Sequence, residues 1–355
     1  PVQWPVSTME SRSSAEPRRF FARGGFYHPD GKARMIAVAP EMTVPDAARL
    51  TLNTGRVRDH WHTMTRTGLS PRLSQHMGEP FAEIHPDDAV ALNVGHADLV
   101  RLSTDRGTAI LRVMLSENQQ RGSIFVPIHW NGEWVAEARI SSLIAGNVDP
   151  VSGQPGFKNV PVRATRFDAC LYGFAVTRDR PVLPDHMGYW AIRRIPGGWA
   201  VEFASLSDVV ELEELTRQLS GIGTDSPLLG YHDQAGGDCR FAAFDDGQLL
   251  VAAFMGPAPV AVSRPWAAEL LAGDFDTAGD RWRVLAGQPG GGVADKGAIV
   301  CSCYGVGANQ IASAVHAGCQ TVAEVTDATG AGGNCGSCKA EIGGLIDEHQ
   351  IIAAE

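Results

Sequence analysis

Nowhere in the 355 residues is there a run of 18 apolar side chains, so no membrane-spanning helix and no membrane partner are expected. The opening PVQWPVSTMESRSS lacks a basic start followed by an apolar stretch, and no secretory signal is expected. Basic residues are the minority, with 30 Lys and Arg against 40 Asp and Glu and a net charge of −10. An acidic chain binds the phosphate backbone poorly, which disfavours nucleic acid as a partner. The first residue is Pro1 rather than Met, and we expect the C-terminal part of something longer. No internal repeat or low-complexity tract is found. What is present suffices for a sizeable core: 44% of residues are hydrophobic, and the length suits two or three domains. Gly and Pro, 40 and 21 residues, suit a loop-rich β or α+β protein.

Local patterns divide the chain into four regions: 1–40, 41–165, 166–290 and 291–355. In the first, His28-Pro29-Asp30-Gly31 reads as a turn entering a strand. In the second, Leu99–Ser103 and Thr108–Leu115 flank Asp105-Arg106-Gly107 as a hairpin, and Ser123–His129 reads as a strand that Pro127 weakens. His85-Pro86-Asp87-Asp88-Ala89 reads as a short helix start, with an early Pro and acids in the first turn. The third region holds two further hairpins, Tyr189–Ile195 with Trp199–Phe203 and Phe241–Phe244 with Gln248–Phe254. An amphipathic helix is expected over Ser207–Leu219, and another capped by Ser263 and ending at Gly273. No motif there carries chemistry, so a small α+β spacer is expected. Gln288-Pro289-Gly290-Gly291-Gly292 reads as a flexible linker.

Five of the seven cysteines fall in the last 55 residues. Nothing points to secretion, so a disulfide framework is not expected. Cys301-Ser302-Cys303 is followed after 31 residues by Cys335-Gly336-Ser337-Cys338. Two close pairs converging from a distance suit a four-thiolate metal site, and spacing alone leaves zinc and iron–sulfur both open. Helices are expected around Ile311, Ala312 and Val315 with a stop at Gly318, over Thr321–Ala328, and over Lys339–Gln350. Each cysteine pair would then sit beside a helix N-terminus, where the partial positive charge suits a thiolate–metal centre. Cys319 shares a helical face with Ile311 and Val315 and reads as core; Cys170 and Cys239 stand alone and are given no role.

The run Val300-Cys301-Ser302-Cys303-Tyr304-Gly305-Val306-Gly307, with Ile311, Ala314, Gly318 and Gly333-Asn334-Cys335-Gly336-Ser337-Cys338, resembles the bacterioferritin-associated-ferredoxin-like (BFD-like) [2Fe-2S] domain. The resemblance covers about residues 298–350. It implies a small helical domain with a [2Fe-2S] cluster on Cys301, Cys303, Cys335 and Cys338, passing single electrons.

Leu52-Asn53-Thr54-Gly55-Arg56-Val57-Arg58-Asp59-His60-Trp61-His62-Thr63-Met64-Thr65-Arg66-Thr67-Gly68 combines glycines, hydroxyls, forked arginine donors and histidines beside a Trp. Such groups suit a large anionic ligand with a heterocyclic part. His60 and His62 as metal ligands are a weaker reading, since no second pair accompanies them. The run resembles the molybdopterin-dinucleotide-binding domain of the dimethyl-sulfoxide-reductase superfamily, a six-stranded double-psi β-barrel. Phe81–Ala89, Gly122–Trp130 and the stretch from Asn147 through Asp149–Lys158 extend the resemblance. It implies that Asn53, Thr54, Gly55 and Arg56 hold the dinucleotide phosphates. Trp61, His62, Thr63 and Met64 would line the pterin, and Asn147, Phe157 and Lys158 would complete its pocket.

Together the two halves resemble the C-terminal part of cytoplasmic assimilatory nitrate reductase catalytic subunits, with PVQWP and FYHPDGKARM matching what precedes the barrel there. The expected fold is mainly β plus α+β. Residues 1–40 would be the remnant of a preceding region, 41–165 the double-psi barrel, 166–290 the α+β spacer and 291–355 the helical [2Fe-2S] domain. The resemblance implies bis-molybdopterin guanine dinucleotide with molybdenum, a [2Fe-2S] cluster, and a [4Fe-4S] cluster only in a part that these residues lack. It implies nitrate as the substrate of the whole protein, a cytoplasmic location, and electrons from an NAD(P)H-dependent flavoprotein reductase, ferredoxin or flavodoxin. This chain by itself is expected to be inactive, with no catalytic residue of its own. Other readings are another molybdopterin oxidoreductase such as a formate dehydrogenase, a non-catalytic [2Fe-2S] electron-transfer module, and a zinc-stabilised interaction protein.

Overall fold

The computed structural model describes residues 19, 21–37 and 49–352, apart from 186, 208–210, 291 and 293. The chain divides into two compact units, Pro1–Val44 and Pro45–Glu355. PVQWP and the boundary at residue 40 lie outside the described residues. In the first unit the expected turn forms: Gly31 N–H donates to His28 O at 2.9 Å, with Gly31 at φ 66. The strand expected after it does not form over residues 32–37. Extended backbone becomes a strand only where a neighbour accepts its hydrogen bonds.

The second unit begins with a closed barrel. Its strands are β1 (Leu50–Gly55), β2 (Phe81–Ile84), then helix α1 (Pro86–Ala91), β3 (Leu99–Thr104), β4 (Gly107–Leu115), β5 (Ser123–Pro127) and β6 (Val160–Arg166). Around the barrel they run β1-β5-β2-β4-β3-β6. β1 is parallel to β5 and β2 to β4, while the other neighbours are antiparallel. The expected hairpin is β3–β4, turning at Asp105-Arg106. His85 caps α1, its Nδ1 accepting the Asp87 N–H, with Pro86 at the first position. Pro127 is tolerated because it ends β5, opposite Gly55.

The region after the barrel forms a six-stranded sheet. Its elements are β7 (Leu171–Thr177), β8 (Tyr189–Ile195), β9 (Gly198–Ser205), α2 (Leu212–Ser220), β10 (Leu228–His232), β11 (Cys239–Asp245), β12 (Gln248–Gly256), α3 (Arg264–Leu270) and α4 (Ala278–Val284). The sheet order is β10-β11-β12-β7-β9-β8, antiparallel throughout. The helix expected from Ser207 starts at Leu212 and stops at Gly221, which takes φ 71. In β11–β12 the turn residues Asp246 and Gly247 both have positive φ, at 43 and 79, as a tight hairpin requires.

Alternation along the sheet strands assigns each face a partner. Phe174, Val176, Ala242, Leu249, Ala252 and Phe254 face α3 and α4, meeting Ala267, Leu270, Leu271 and Val284. Trp199, Val201, Phe203, Phe241, Val251 and Ala253 face the other way, into one core shared with barrel residues Leu52, Ile84, Leu102 and Val126. The region read as a spacer is therefore packed into the barrel core. Barrel residues even extend the sheet: Ala136 N–H donates to Trp190 O and Ile192 N–H to Trp134 O, at 3.0 and 2.8 Å.

The tail has its own core. It comprises β13 (Ile299–Cys301), β14 (Val306–Gly307), α5 (Ala308–His316), α6 (Val322–Thr329) and α7 (Lys339–Ile352). Ile311, Val315, Val325, Ile342 and Ile346 fill that core, and Cys319 packs against it. Thr321 and Glu324 form a capping box at α6, and Gly330 closes it at φ 81. No described helix is long and apolar enough to cross a membrane.

Candidate functional site

The two expected sites lie on loops that the barrel and the tail core hold in place. In the first, Asn53, Thr54 and Gly55 end β1, and Arg56 follows with its side chain exposed. Buried Thr54 donates its hydroxyl to Phe157 O at 2.9 Å, and Asn53 Oδ1 accepts the Asn159 N–H at 3.2 Å. The loop carrying Phe157 and Lys158 is thereby tied to the end of β1. Asn147 closes that loop's base, accepting the Gly156 N–H at 3.0 Å. Asp149 accepts bonds from Val151 and Ser152, which hold its carboxyl below the usual range. A Cβ at Gly55 would stand 2.6 Å from the Phe125 ring, so that ring occupies the space a side chain would need.

The loop after β1 is anchored by a residue that the motif did not single out. His129 is fully buried; its Nε2 accepts the Val57 N–H at 2.9 Å and its Nδ1 lies 2.7 Å from His62 O. That arrangement specifies the neutral tautomer with the proton on Nδ1, and burial pushes its pKa down. Asn131 Nδ2 donates to Thr63 O at 3.0 Å. A strand-end histidine leading into an aromatic, as in Ile128-His129-Trp130, was the available signal. Trp61, His62 and Thr63 are exposed, Trp61 by 60%. Met64, expected to line the pterin, lies in the core. At 2% exposure its side chain belongs to the core, where an apolar thioether gains more from burial than from a polar cradle. His60 is also buried, whereas His62 is exposed at φ 45, so the two histidines do not form a ligand pair.

In the tail, Cys301 and Cys338 are buried, Cys303 half-buried and Cys335 exposed. Cys303 and Cys335 bring their sulfurs to 3.5 Å, and Cys301 sits against Cys338. Hydrogen bonds from Ser337, then Cys303, lower the Cys335 pKa. Burial, then the Cys301 thiol, pushes Cys338 up to about 11. Cys338 immediately precedes α7, as expected. Cys301 instead ends β13 and Cys303 lies in the turn after it, five residues or more ahead of α5, because Val306–Gly307 pairs back on the strand first. Ser302 between them is 6% exposed; its hydroxyl lies within reach of Asp59, whose charge it favours, without an aligned hydrogen bond. Four thiols in two pairs, with a hydroxyl that lacks an aligned hydrogen bond in their midst, fit a two-iron cluster with sulfide acceptors. Among the described residues no three such side chains gather into a single-ion site.

The two sites meet. Arg58 donates Nη1 to Glu341 Oε2 of α7 and Nη2 to Val300 O, one residue before Cys301. His76 Nδ1 lies 2.6 Å from Asp59, and its Nε2 stands 3.3 Å from Glu341, an ion-pair distance without hydrogen-bond alignment. Burial opposes charge on His76, but Asp59 and Glu341 outweigh it and raise its pKa. Burial likewise acts on Asp59 and Glu341, and His76 and Arg58 overcome it to lower both.

The chain thus carries a closed six-stranded barrel with this loop set and a tail with two close thiol pairs. Residues 50–161 match the molydopterin dinucleotide binding domain, and residues 299–348 the BFD-like [2Fe-2S] binding domain. Their cofactors are a molybdopterin dinucleotide and a [2Fe-2S] cluster. The chain is 32% identical to a nitrate reductase of Klebsiella oxytoca over 98% of its own length and 39% of that protein's. It is 34% identical to the assimilatory nitrate reductase catalytic subunit of Bacillus subtilis (strain 168), over 46% of this chain and 22% of that one. Among solved structures, acetylene hydratase from Pelobacter acetylenicus aligns at a TM-score of 0.29 and 18% identity, over 34% of this chain and 18% of that one. The chain thus spans well under half the length of these curated relatives.

Proposed function

We propose that this chain is the C-terminal portion of a molybdenum-dependent assimilatory nitrate reductase, reducing nitrate to nitrite when complete and inactive by itself. The observation that carries the reading is the pairing, in one chain, of a pterin-dinucleotide barrel with a BFD-like tail, in an order shared with a nitrate reductase along 98% of the chain. The proposed division follows the expected boundaries 1–40, 41–165, 166–290 and 291–355. A cytoplasmic location belongs to the same reading.

When bound, the molybdenum pterin supplies oxygen-atom transfer from nitrate and the cluster supplies one-electron transfer. The chain's residues position these groups. Arg56 offers an exposed cation for the dinucleotide phosphates, and exposed Lys158 would complete the pterin pocket with Phe157. Gly55 admits close backbone approach, and Asn53 and Thr54 hold the Phe157 loop beside it. Exposed Trp61 gives an apolar face, with His62 and Thr63 as polar neighbours, while Asn147 shapes the loop that carries Phe157. Cys301, Cys303, Cys335 and Cys338 would be the cluster thiolates, and Ser302 a donor to its sulfide. The exposed side of the pair, at Cys335, suits contact with an external donor, for which a flavoprotein reductase, ferredoxin or flavodoxin fits.

The test is metal analysis and assay of the full-length protein, purified anaerobically. The reading requires molybdenum, more iron than one two-iron cluster holds, and nitrate reduction with reduced viologen. Zinc in place of iron, or molybdenum with formate but no nitrate turnover, would overturn it. Iron–sulfide reconstitution of this chain should give about two irons, and Cys303→Ser should lose the reduced-cluster paramagnetic signal.

A further inference from the structure

Between the barrel, the sheet and the tail lies a cavity of about 610 Å³, within the size range of small-molecule sites. None of the residues proposed to hold either cofactor lines it. Its charged lining consists of three arginines and Lys296 against three glutamates, besides histidines. The partners can be assigned atom by atom. Arg112 of β4 donates Nε to Glu79 Oε1 at 3.1 Å, and the Tyr189 hydroxyl donates to Glu79 Oε2 at 2.5 Å. Arg264 of α3 grips both oxygens of Glu202 at 2.9 Å. Lys296 pairs with Glu269 at 2.9 Å. Both carboxylate oxygens of Glu79 and Glu202 are therefore engaged, and Arg193 of β8 is left over. Its guanidinium makes no hydrogen bond or ion pair among the described residues.

The backbone is shaped to hold Arg193 there. A Cβ at Gly78 would stand 2.0 Å from Arg193 Nη1, so the guanidinium lies in the space where residue 78 lacks a side chain. Burial lowers the Arg193 pKa; Glu202 and Glu79 oppose that shift through space, and Arg264 adds to it. The remaining walls include Phe81, Val113, Ile195 and Val260, which are apolar.

We propose that this cavity binds a small organic anion, its oxyanion head forked onto Arg193 and its body against Phe81, Ile195 and Val260. A planar guanidinium matches a carboxylate or phosphate head with two parallel bonds, and the apolar walls favour an organic body over a bare ion. The lining shares no residue with the two proposed cofactor sites.

Thermal unfolding of the chain with benzoate, phenyl phosphate and benzamide tests this. Near saturation, benzoate or phenyl phosphate should raise the Tm by about 2–4 °C, the larger shift naming the preferred head. Neutral benzamide, matched in shape, and sodium chloride of equal ionic strength should leave it unmoved. Arg193→Gln should lose the shift. Should that variant not fold, protection of Arg193 from phenylglyoxal by benzoate, read by mass spectrometry on the unmodified sequence, replaces it. Equal shifts with benzamide, an undiminished shift in R193Q, absence of any oxyanion effect, or failure to protect Arg193 would overturn the proposal.

Discussion

His60 is a buried imidazole with weak partners, 3.4 Å from Thr67 Oγ1 and from Met77 O, and burial lowers its pKa to about 4. In the unfolded chain it takes its proton near 6.5. Between those values the unfolded state binds more protons, so stability falls as pH drops through the window, by about 3 kcal/mol in all. Urea unfolding at pH 7 and pH 4 should register that loss, and His60→Gln should flatten it; an unchanged pH slope in the variant would refute the assignment. The sequence reading placed His62 in the pterin lining and gave His60 only the weaker reading of a metal ligand beside it. Which of two loop histidines points inward depends on where the chain turns, and the left-handed backbone at His62 and Met64 makes that choice.

At the scale of elements, the loop of residues 57–64 keeps its shape because His129 bridges Val57 and His62 from beneath. His129→Ala leaves two backbone groups without partners, and the expected cost is about 2–4 kcal/mol in chemical unfolding. Pterin-dinucleotide binding should weaken with it, more than the stability loss alone explains. Gly55→Ala must displace the Phe125 ring and should cost about 1–3 kcal/mol; a neutral result would mean that the ring moves freely. Hairpins were legible because their turns carry Gly, Asp and Pro at positions that only those residues satisfy easily. The strand expected after Gly31 failed on the same physics, since strand propensity needs a partner to become a strand.

At the scale of the whole chain, Arg58 fastens the tail that carries the four cysteines to the loop after β1. Arg58→Ala should leave the tail core intact while speeding tryptic cleavage at Lys296 by about tenfold, because charge-assisted bonds to Glu341 and Val300 are lost. Unchanged cleavage would mean that the linker, which the sequence marks as flexible, does not depend on this contact. His76 gives the contact a pH dependence. Its pKa is raised in the folded chain, so its contribution is complete below 6.5 and is lost as pH climbs through the higher folded value. Asp59 and Glu341, both lowered, contribute above their unfolded values and lose that as pH falls. Tail docking followed by proteolysis across pH should therefore be strongest between these limits, and a flat profile would exclude the ion cluster as the fastening.

The sequence by itself determined the short-range features: the cysteine pairs, the glycines at turns and helix stops, the run from Leu52 to Gly68, and the order of barrel and tail. Each rests on spacing or on the backbone freedom of one residue, which neighbours in the chain settle. Only the tertiary structure decided that the supposed spacer shares the barrel core, that Met64 faces inward, and that Arg58 reaches Val300 and Glu341. It also set three arginines around two glutamates, with the Arg193 guanidinium left without a hydrogen bond. Those outcomes depend on contacts between residues far apart in the chain, from 33 positions for Arg112 and Glu79 to 283 for Arg58 and Glu341. Burial there leaves a charge either matched or costly, and no local pattern records which.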